Sequence, residues 1–216
     1  MDDTGRKATI EQLVVGPLST NCYVVSCPET KRAIVVDPGG DPGLIEALVE
    51  SRGLAVEQVL CTHGHGDHFA AAAGLCRRWD APFAVHAAAR EMIAISVSEA
   101  PYWGLGEIEA PEIGREIVPG EPLVVGEVAG RVLFTPGHSP GSVSFVFGGR
   151  VLVGDALFRR SIGRTDLQGG DLETLLYSIR TELFTLPDET IVYCGHGPDT
   201  TIGEEKRGNP FLNGSF

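Results

Sequence analysis

Short runs of apolar and β-branched residues recur along the chain, separated by Gly, Pro, Asn and Ser. Runs of this kind are typical of β-strands. They predict strands at residues 9–15, 22–26, 33–37, 56–62, 82–86, 122–125, 131–135, 143–147, 151–153 and 190–194. A short polar tail is expected after the last of them.

Between these strands, apolar residues spaced three to four apart predict helices. The first helix is expected to begin at Asp41, its N-cap residue, with Pro42 at the first helical position. Its apolar face holds Leu44, Ile45, Leu48 and Val49. Further helices are predicted at residues 67–78, 87–95 and 171–183. The alternation of strands and helices favours a layered α/β or α+β fold, with residues 1–216 as one domain.

Residues 98–121 break this pattern, because they are rich in Gly, Pro and Glu. They are predicted to form a long loop with little regular structure. Such a loop in a compact domain is usually functional or mobile. Because Tyr102 and Trp103 lie within it, our hypothesis is that these two side chains contact the substrate and cap a cleft as a lid.

Composition and charge narrow the classes of function. The 216 residues are 43% hydrophobic, enough for a sizeable core. A balance of 17 Lys+Arg against 29 Asp+Glu gives a net charge of −12, which disfavours a nucleic-acid partner. The first residues lack the pattern of a secretory signal, and the longest uncharged stretch, residues 12–28, is too polar to span a membrane. The oligomeric state stays open.

The cysteines indicate the compartment. There are five, an odd number, and none form a C-x-x-C pair, so a disulfide framework is not expected. We therefore expect a cytoplasmic protein in which most cysteines pack as small buried hydrophobic residues.

Three of the six histidines lie in one short loop, Thr62-His63-Gly64-His65-Gly66-Asp67-His68. Residues two apart at the end of a strand project to the same side, so His63 and His65 are placed to share a cation. The intervening glycines leave the backbone free to bend around it. Asp67 and His68 point elsewhere, which suits a second cation.

Further ligand candidates follow later predicted strands: His138, Asp155 and His196. Each lies beside a glycine, where a side chain is able to face a cleft. Imidazole and carboxylate ligands together suit zinc, iron or manganese. The sequence therefore predicts two divalent metal ions, with zinc as the first choice and iron or manganese as alternatives. His86 stands alone and is expected to be structural, whereas Asp37 is either a turn residue or a partner that orients a ligand.

The H-x-H-x-D-H loop and three later segments resemble the metallo-β-lactamase superfamily in order and spacing: Gly137-His138, Gly154-Asp155-Ala156-Leu157-Phe158 and Gly195-His196-Gly197. The resemblance extends from Asp37 to His196. It implies an α+β fold, a four-layer αβ/βα sandwich with the metals at one edge of the two sheets. It also implies one metal held by His63, His65 and His138, a second held by Asp67, His68 and His196, and Asp155 as the bridge.

Within that superfamily, residues 161–167 and 195–201 are similar to short glyoxalase II-like hydrolases. This similarity implies a thioesterase that cleaves S-lactoylglutathione or a related small-molecule acyl-thioester. Full glyoxalase II has an extra helical domain that helps grip glutathione, whereas only 20 residues follow His196 here, so strong glutathione binding is not expected. Gly163-Arg164-Thr165-Asp166 also resembles mononuclear-iron glutathione persulfide dioxygenases, which provide the alternative function.

The implied mechanism uses the two cations to hold a water molecule and to lower its pKa toward neutrality. Asp67 is expected to orient the metal-bound hydroxide as a catalytic residue. A thioester suits such a site, because a thiolate leaves with little help from an acid. Arg164 is a candidate for binding a substrate carboxylate in bidentate fashion, with a role as a surface or turn-stabilising residue as the equal alternative.

Other functional classes fit the sequence less well than a thioesterase or a dioxygenase. An exported β-lactamase is disfavoured by the missing signal segment, and the nuclease branch by the charge and by its large additional domain. A non-catalytic metal-binding regulatory module is the alternative from a different class. An open metal site favours catalysis, because structural zinc sites are usually closed by four protein ligands.

Overall fold

Two six-stranded β-sheets face each other in the computed structural model, which describes residues 7–213. The first sheet runs in chain order: β1 (Thr9–Val15), β2 (Thr20–Ser26), β3 (Arg32–Val36), β4 (Ala55–Leu60), β5 (Phe83–His86) and β6 (Ile113–Ile117). Strands β1 to β3 pair antiparallel, whereas β3 to β6 pair parallel.

The second sheet contains β7 (Pro122–Val125), β8 (Val128–Phe134), β9 (Val143–Val146), β10 (Arg150–Gly154), β13 (Ile191–Cys194) and β14 (Thr200–Thr201). Its spatial order is β14-β13-β10-β9-β8-β7, and β10 and β13 are parallel neighbours. A small hairpin of β11 (Leu157–Phe158) and β12 (Ser161–Ile162) follows β10.

Helices cover the outer faces of both sheets. They are α1 (Pro42–Ser51), α2 (Gly66–Phe69), α3 (Ala72–Trp79), α4 (Arg90–Glu99), α5 (Leu172–Thr181) and α6 (Ile202–Gly208). No helix within residues 7–213 is long and apolar enough to cross a membrane.

The alternation of side chains along each strand produces the layers. In β2, Tyr23 and Val25 point between the sheets and join Phe145 of β9 in the central core. The intervening residues of β2 face outward, where they pack with Ile45 of α1 and Leu75 of α3. Across the molecule, apolar residues of α5 pack on the outer face of β10 and β13. The chain therefore has the predicted α+β fold of four layers, helix–sheet–sheet–helix.

The predicted strands are all present, with ends shifted by at most three residues. The prediction of a loop at residues 98–121 was wrong at both ends, because α4 continues to Glu99 and β6 occupies Ile113–Ile117. Charged and glycine residues within β6 obscure its alternation, and it is an edge strand. The helix predicted at 67–78 is split, since the amide of Ala71 bonds to the carbonyl of Pro38 at 3.0 Å instead of continuing the helix.

Asp41 is the N-cap residue of α1 and Pro42 opens the helix, as predicted, but the side chain of Asp41 does not cap it. Asp41 has a left-handed backbone (φ 46°), and its side chain makes no capping hydrogen bond. Its Oδ2 atom accepts instead from the amide of Gly16, 2.8 Å away. Leu44, assigned to the apolar face, is 55% exposed, whereas Ile45 and Val49 are buried as predicted.

The cysteines pack as predicted, since four of the five are buried and Cys76 is partly so. All five lie in the described part of the chain, and all are free thiols.

The prediction of a short polar tail after β13 was wrong as well. Residues after His196 form β14 and α6, and α6 carries a carboxylate, Glu205, that is 1% exposed. Its oxygens accept from Thr200 Oγ1 at 2.6 Å, from the Arg160 amide at 2.9 Å and from Asn209 Nδ2 at 2.8 Å. Each donor comes from a different segment, so this carboxylate joins α6 to β14 and to the β11–β12 hairpin.

We expect Glu205→Gln to lower the free energy of unfolding by about 1–3 kcal/mol, because the amide loses the negative charge that strengthens these hydrogen bonds and offers one acceptor oxygen instead of two. Urea denaturation measures this loss. The matched control is Glu189→Gln at an exposed position, for which a change within about 0.5 kcal/mol is expected. Equal stabilities of the two variants would contradict the assigned role of Glu205.

Candidate metal centre

Four loops meet at one edge of the two sheets, each just beyond the carboxyl end of a strand. The His63–His68 loop follows β4, His138 follows β8, Asp155 follows β10, and His196 follows β13. The structure brings together all seven side chains that the sequence singled out as metal ligands.

The first group consists of three histidines. The Nδ1 atom of His65 lies 3.0 Å from His63 Nε2 and 2.9 Å from His138 Nε2. The three rings stand nearly perpendicular to one another, with centroids 4.7–4.8 Å apart. Three nitrogen atoms thus converge on one point, an arrangement that suits a single cation.

The second group contains Asp67, His68 and His196. Asp67 Oδ2 lies 3.1 Å from His196 Nε2 and 3.6 Å from His68 Nε2. Asp155 lies between the groups, with its Oδ2 atom 3.7 Å from the Nε2 atoms of both His138 and His196. The two groups together fit a dinuclear site with Asp155 shared between them.

Two buried atoms test whether this site suits a cation. His68 Nε2 and Asp155 Oδ1 are inaccessible to solvent and have no hydrogen-bond partner among the described residues, although they lie 3.4 Å apart. An unsatisfied buried polar atom costs about 1–3 kcal/mol, and more when it is charged. A divalent ion removes this cost, and the nitrogen and carboxylate donors suit zinc, iron or manganese.

The electrostatics divide the site into neutral and charged parts. Burial lowers the pKa of His65 to about 4, and burial with the neighbouring imidazoles lowers that of His63 too. Burial also opposes the charge on His68, but Asp67 and Asp155 outweigh it and raise its pKa. Burial raises the pKa of both carboxyls, yet the nearby imidazoles lower it more. His63 and His65 are therefore neutral, and the carboxyls of Asp67 and Asp155 are ionised, as metal ligands must be.

A second set of contacts orients the ligands. Asp37 accepts from the amide of Thr62 at 2.7 Å and from its hydroxyl at 2.8 Å, and its Oδ2 atom lies 3.0 Å from His68 Nδ1. Thr62 Oγ1 lies 3.0 Å from His63 Nδ1. Asp37, at φ 54°, therefore both forms the turn and fixes a ring, the two alternatives that the sequence left open. His138 Nδ1 lies 2.8 Å from the carbonyl of Arg164.

Comparison with known families agrees with this geometry. Residues 15–196 match the family described as the metallo-beta-lactamase superfamily, over most of the chain. The chain belongs to the metallo-beta-lactamase superfamily. Members of this superfamily bind divalent metals, as the grouping of His and Asp at the sheet edge requires.

Among curated members of the superfamily, two are similar over nearly their full length. "Probable metallo-hydrolase YqgX" of Bacillus subtilis is 39% identical over 210 residues, 94% of this chain and 97% of the relative. "Hydroxyacylglutathione hydrolase GloC" of Haemophilus influenzae is 38% identical over 211 residues, 94% and 98% of the two chains.

Solved structures of the superfamily are similar as well. BLEG-1, described as a B3 metallo-beta-lactamase, has a TM-score of 0.88 at 37% identity, covering 95% of this chain and all of that one. TTHA1623 in a di-iron-bound form has a TM-score of 0.85 at 40% identity, covering 94% of this chain and all of that one. ETHE1 from Myxococcus xanthus has a TM-score of 0.78 at 33% identity, covering 94% of this chain and 83% of that one.

A cavity of about 330 Å³ opens beside the metal centre of this superfamily member. Trp103 lines it, whereas the side chain of Tyr102 is 83% exposed and lies outside the lining. Arg164 also lines the cavity, yet its Nε and Nη2 atoms bond to both oxygens of Asp166 at 2.7 and 2.8 Å. This favours the surface ion pair over a free carboxylate-binding group.

Sequence reasoning missed much of the cavity wall, including Leu18, Met92, Ile95, Glu99 and Leu105. Leu18 carried one signal, an apolar residue in the turn between β1 and β2. The other four residues lie on α4 or just after it, and no sequence pattern marked them as part of a cavity. His86, expected to be structural, lies away from the centre, where its ring packs on Phe134 with centroids 4.9 Å apart.

Metal removal provides a direct test of the centre. We expect zinc to raise the free energy of unfolding by about 4 kcal/mol at a free concentration a thousandfold above its dissociation constant, because it binds only the folded chain. Thermal unfolding in EDTA and in buffered zinc measures the effect. The variant His65→Ala is the control, and its zinc-dependent shift should be much smaller. Superimposable curves of the unsubstituted protein in EDTA and zinc would rule out a stabilising site.

Proposed function

We propose that this chain is a metal-dependent thioesterase that hydrolyses S-lactoylglutathione or a related acyl-thioester. The observation that carries the proposal is Asp155, a carboxylate that lines the cavity and has its Oδ2 atom 3.7 Å from His138 of one ligand group and 3.7 Å from His196 of the other. The similarity to a hydroxyacylglutathione hydrolase supports the thioester as substrate. We propose zinc as the metal, with iron or manganese as alternatives in view of the di-iron relative.

The chemistry is the addition of water across a C–S bond. When bound, divalent ions supply a hydroxide at neutral pH and stabilise the negative charge that develops on the carbonyl oxygen. The new C–O bond gives a carboxylic acid, and the broken C–S bond releases a thiol. A thiolate is a stable leaving group, so no side chain has to protonate it.

The residues of the chain prepare the site for this step. Asp67 Oδ2 accepts from Thr20 Oγ1 at 3.1 Å, which fixes the carboxylate beside His196. From that position, we propose, Asp67 orients the attacking water by accepting one of its hydrogens. The contacts of His63 and His68 with Thr62 and Asp37 hold the rings in place without further rearrangement.

The test of the function uses purified protein stripped of metal and then reconstituted with zinc. Release of free thiol from S-lactoylglutathione and from simpler lactoyl thioesters is followed against the metal-free protein. We expect turnover only in the reconstituted sample. Absence of thioester hydrolysis above the metal-free control would overturn the proposal.

A mononuclear-iron persulfide dioxygenase is the second candidate, on account of Gly163-Arg164-Thr165-Asp166 and the similarity to ETHE1 from Myxococcus xanthus. It predicts one iron per chain as isolated and oxygen uptake with glutathione persulfide. The paired ligand groups around Asp155 favour two ions and therefore the hydrolase. We also infer a reducing compartment, the cytoplasm, from the five free thiols.

A further inference from the structure

The wall of the cavity beside the metal centre is mainly apolar. Six large apolar side chains contribute to it: Leu18, Met92, Ile95, Trp103, Leu105 and Leu167. They come from the β1–β2 turn, from α4, from the segment that follows α4 and from the segment that precedes α5. Leu18 is 40% exposed, an exposed apolar side chain directed at the site. Such a wall favours a ligand with an apolar body.

The charges on this wall are unfavourable for an anionic ligand. Apart from the metal ligands, the charged residues among the described lining are Glu99 and Arg164. The guanidinium of Arg164 is already paired with Asp166 through two hydrogen bonds. Glu99 lies at the end of α4, and its Oε2 atom accepts from Trp103 Nε1 at 3.3 Å. The unpaired charge on the wall is therefore negative.

Glutathione would place two carboxylates and one ammonium group against this wall. The lactoyl group is small, so the thiol part of S-lactoylglutathione is the part large enough to fill the cavity. Glu99 is an exposed residue that lines the cavity. The thiol part of glutathione has a net negative charge, which Glu99 disfavours, and the wall has no free cationic side chain to offset this repulsion. We propose that this cavity selects thioesters whose thiol part is uncharged and apolar, in preference to glutathione thioesters. This proposal rests on the thioesterase function proposed above.

Two substrates with the same acyl group test this proposal: S-lactoylglutathione and the lactoyl thioester of uncharged N-acetylcysteamine. With the zinc-loaded protein, we expect kcat/KM to be about tenfold higher for the uncharged thioester, a preference worth about 1.4 kcal/mol. An equal or higher value for S-lactoylglutathione would overturn the selectivity and leave the thioesterase function standing. Hydrolysis of neither thioester would instead overturn the proposed function.

Variants locate the source of the selectivity. Glu99→Gln keeps an oxygen that accepts from Trp103 Nε1, and we expect it to raise kcat/KM for S-lactoylglutathione about threefold or more. The uncharged thioester should change less than about twofold. Glu107→Gln is the matched control, an exposed acid on the segment that follows α4 and outside the cavity wall, and neither substrate should respond to it. Equal responses of the two substrates to Glu99→Gln would assign the selectivity elsewhere and contradict the role of this carboxylate.

A variant of Arg164 provides an independent test of the proposed selectivity. If its guanidinium stays with Asp166, Arg164→Gln changes kcat/KM for S-lactoylglutathione by less than about twofold. A loss of about tenfold for that substrate alone would show that Arg164 leaves Asp166 to bind a substrate carboxylate, and this result would overturn the proposal.

Discussion

Asp155→Asn is expected to reduce kcat/KM for thioester hydrolysis by about a thousandfold, which corresponds to roughly 4 kcal/mol of transition-state stabilisation. Asp155 Oδ2 is equidistant, at 3.7 Å, from the Nε2 atoms of His138 and His196, and Oδ1 lies 3.4 Å from His68 Nε2. The amide of Asn is uncharged and offers only one oxygen. It is therefore unable to neutralise and join two cations as a carboxylate does.

Activity measured with metal content separates this effect from misfolding. The variant should bind less zinc, while its circular dichroism spectrum stays that of the unsubstituted protein. Asp188→Asn, at an exposed ion pair with Lys206, serves as the matched control and should retain full activity. Retention of more than about a tenth of the activity by Asp155→Asn would be incompatible with a shared carboxylate at the centre of catalysis. A regulatory metal module predicts no turnover even in the unsubstituted protein.

Asn21→Asp is expected to produce the largest loss of stability, about 3 kcal/mol or more, although the two side chains have nearly the same shape. Asn21 is 1% exposed. Its Nδ2 donates to the carbonyls of Cys194 and Gly197 at 3.0 and 2.9 Å, while its Oδ1 accepts from Gln12 Nε2 at 2.7 Å. A carboxylate there would turn a buried negative charge toward two carbonyl oxygens.

The same substitution should disturb the metal centre, because the two carbonyls flank His196. Urea denaturation of the metal-free protein measures the stability, and zinc stoichiometry is expected to fall from two toward one. Tyr23→Phe is the control, since it removes a single hydrogen bond to the same Cys194 carbonyl and should cost about 1 kcal/mol. Two bound zinc ions and a stability within 1 kcal/mol in Asn21→Asp would refute this role.

The sequence predicted which seven side chains come together at the sheet edge, because a local pattern marks them. His138, Asp155 and His196 each stand beside a glycine just after an apolar run, and parallel strand ends meet at one edge of a sheet. The four-layer order followed from the resemblance to a family rather than from periodicity alone.

Features that depend on distant partners escaped prediction. Tyr102 and Trp103 are neighbours of similar type, and only the fold decides that Trp103 faces the cavity. Glu205 looks like any charged residue of a polar helix, since its burial depends on a hairpin 45 positions away, whose Arg160 amide donates to it. Asp41 occupies the N-cap position of α1, but its carboxylate accepts a hydrogen bond from the amide of Gly16, 25 positions away, and not from an amide of the helix.

The parallel pairing of β10 and β13 has a consequence for how such a chain diversifies. Gly154 and Cys194 are paired across these strands, so Asp155, one residue further on, and His196, two residues further on, are held at a distance set by the strand spacing. The large apolar side chains of the cavity wall come from other segments: the β1–β2 turn, α4 with the residues after it, and the segment before α5. Reactivity and substrate choice are therefore encoded in separate parts of the gene, and selection is free to alter one while it preserves the other.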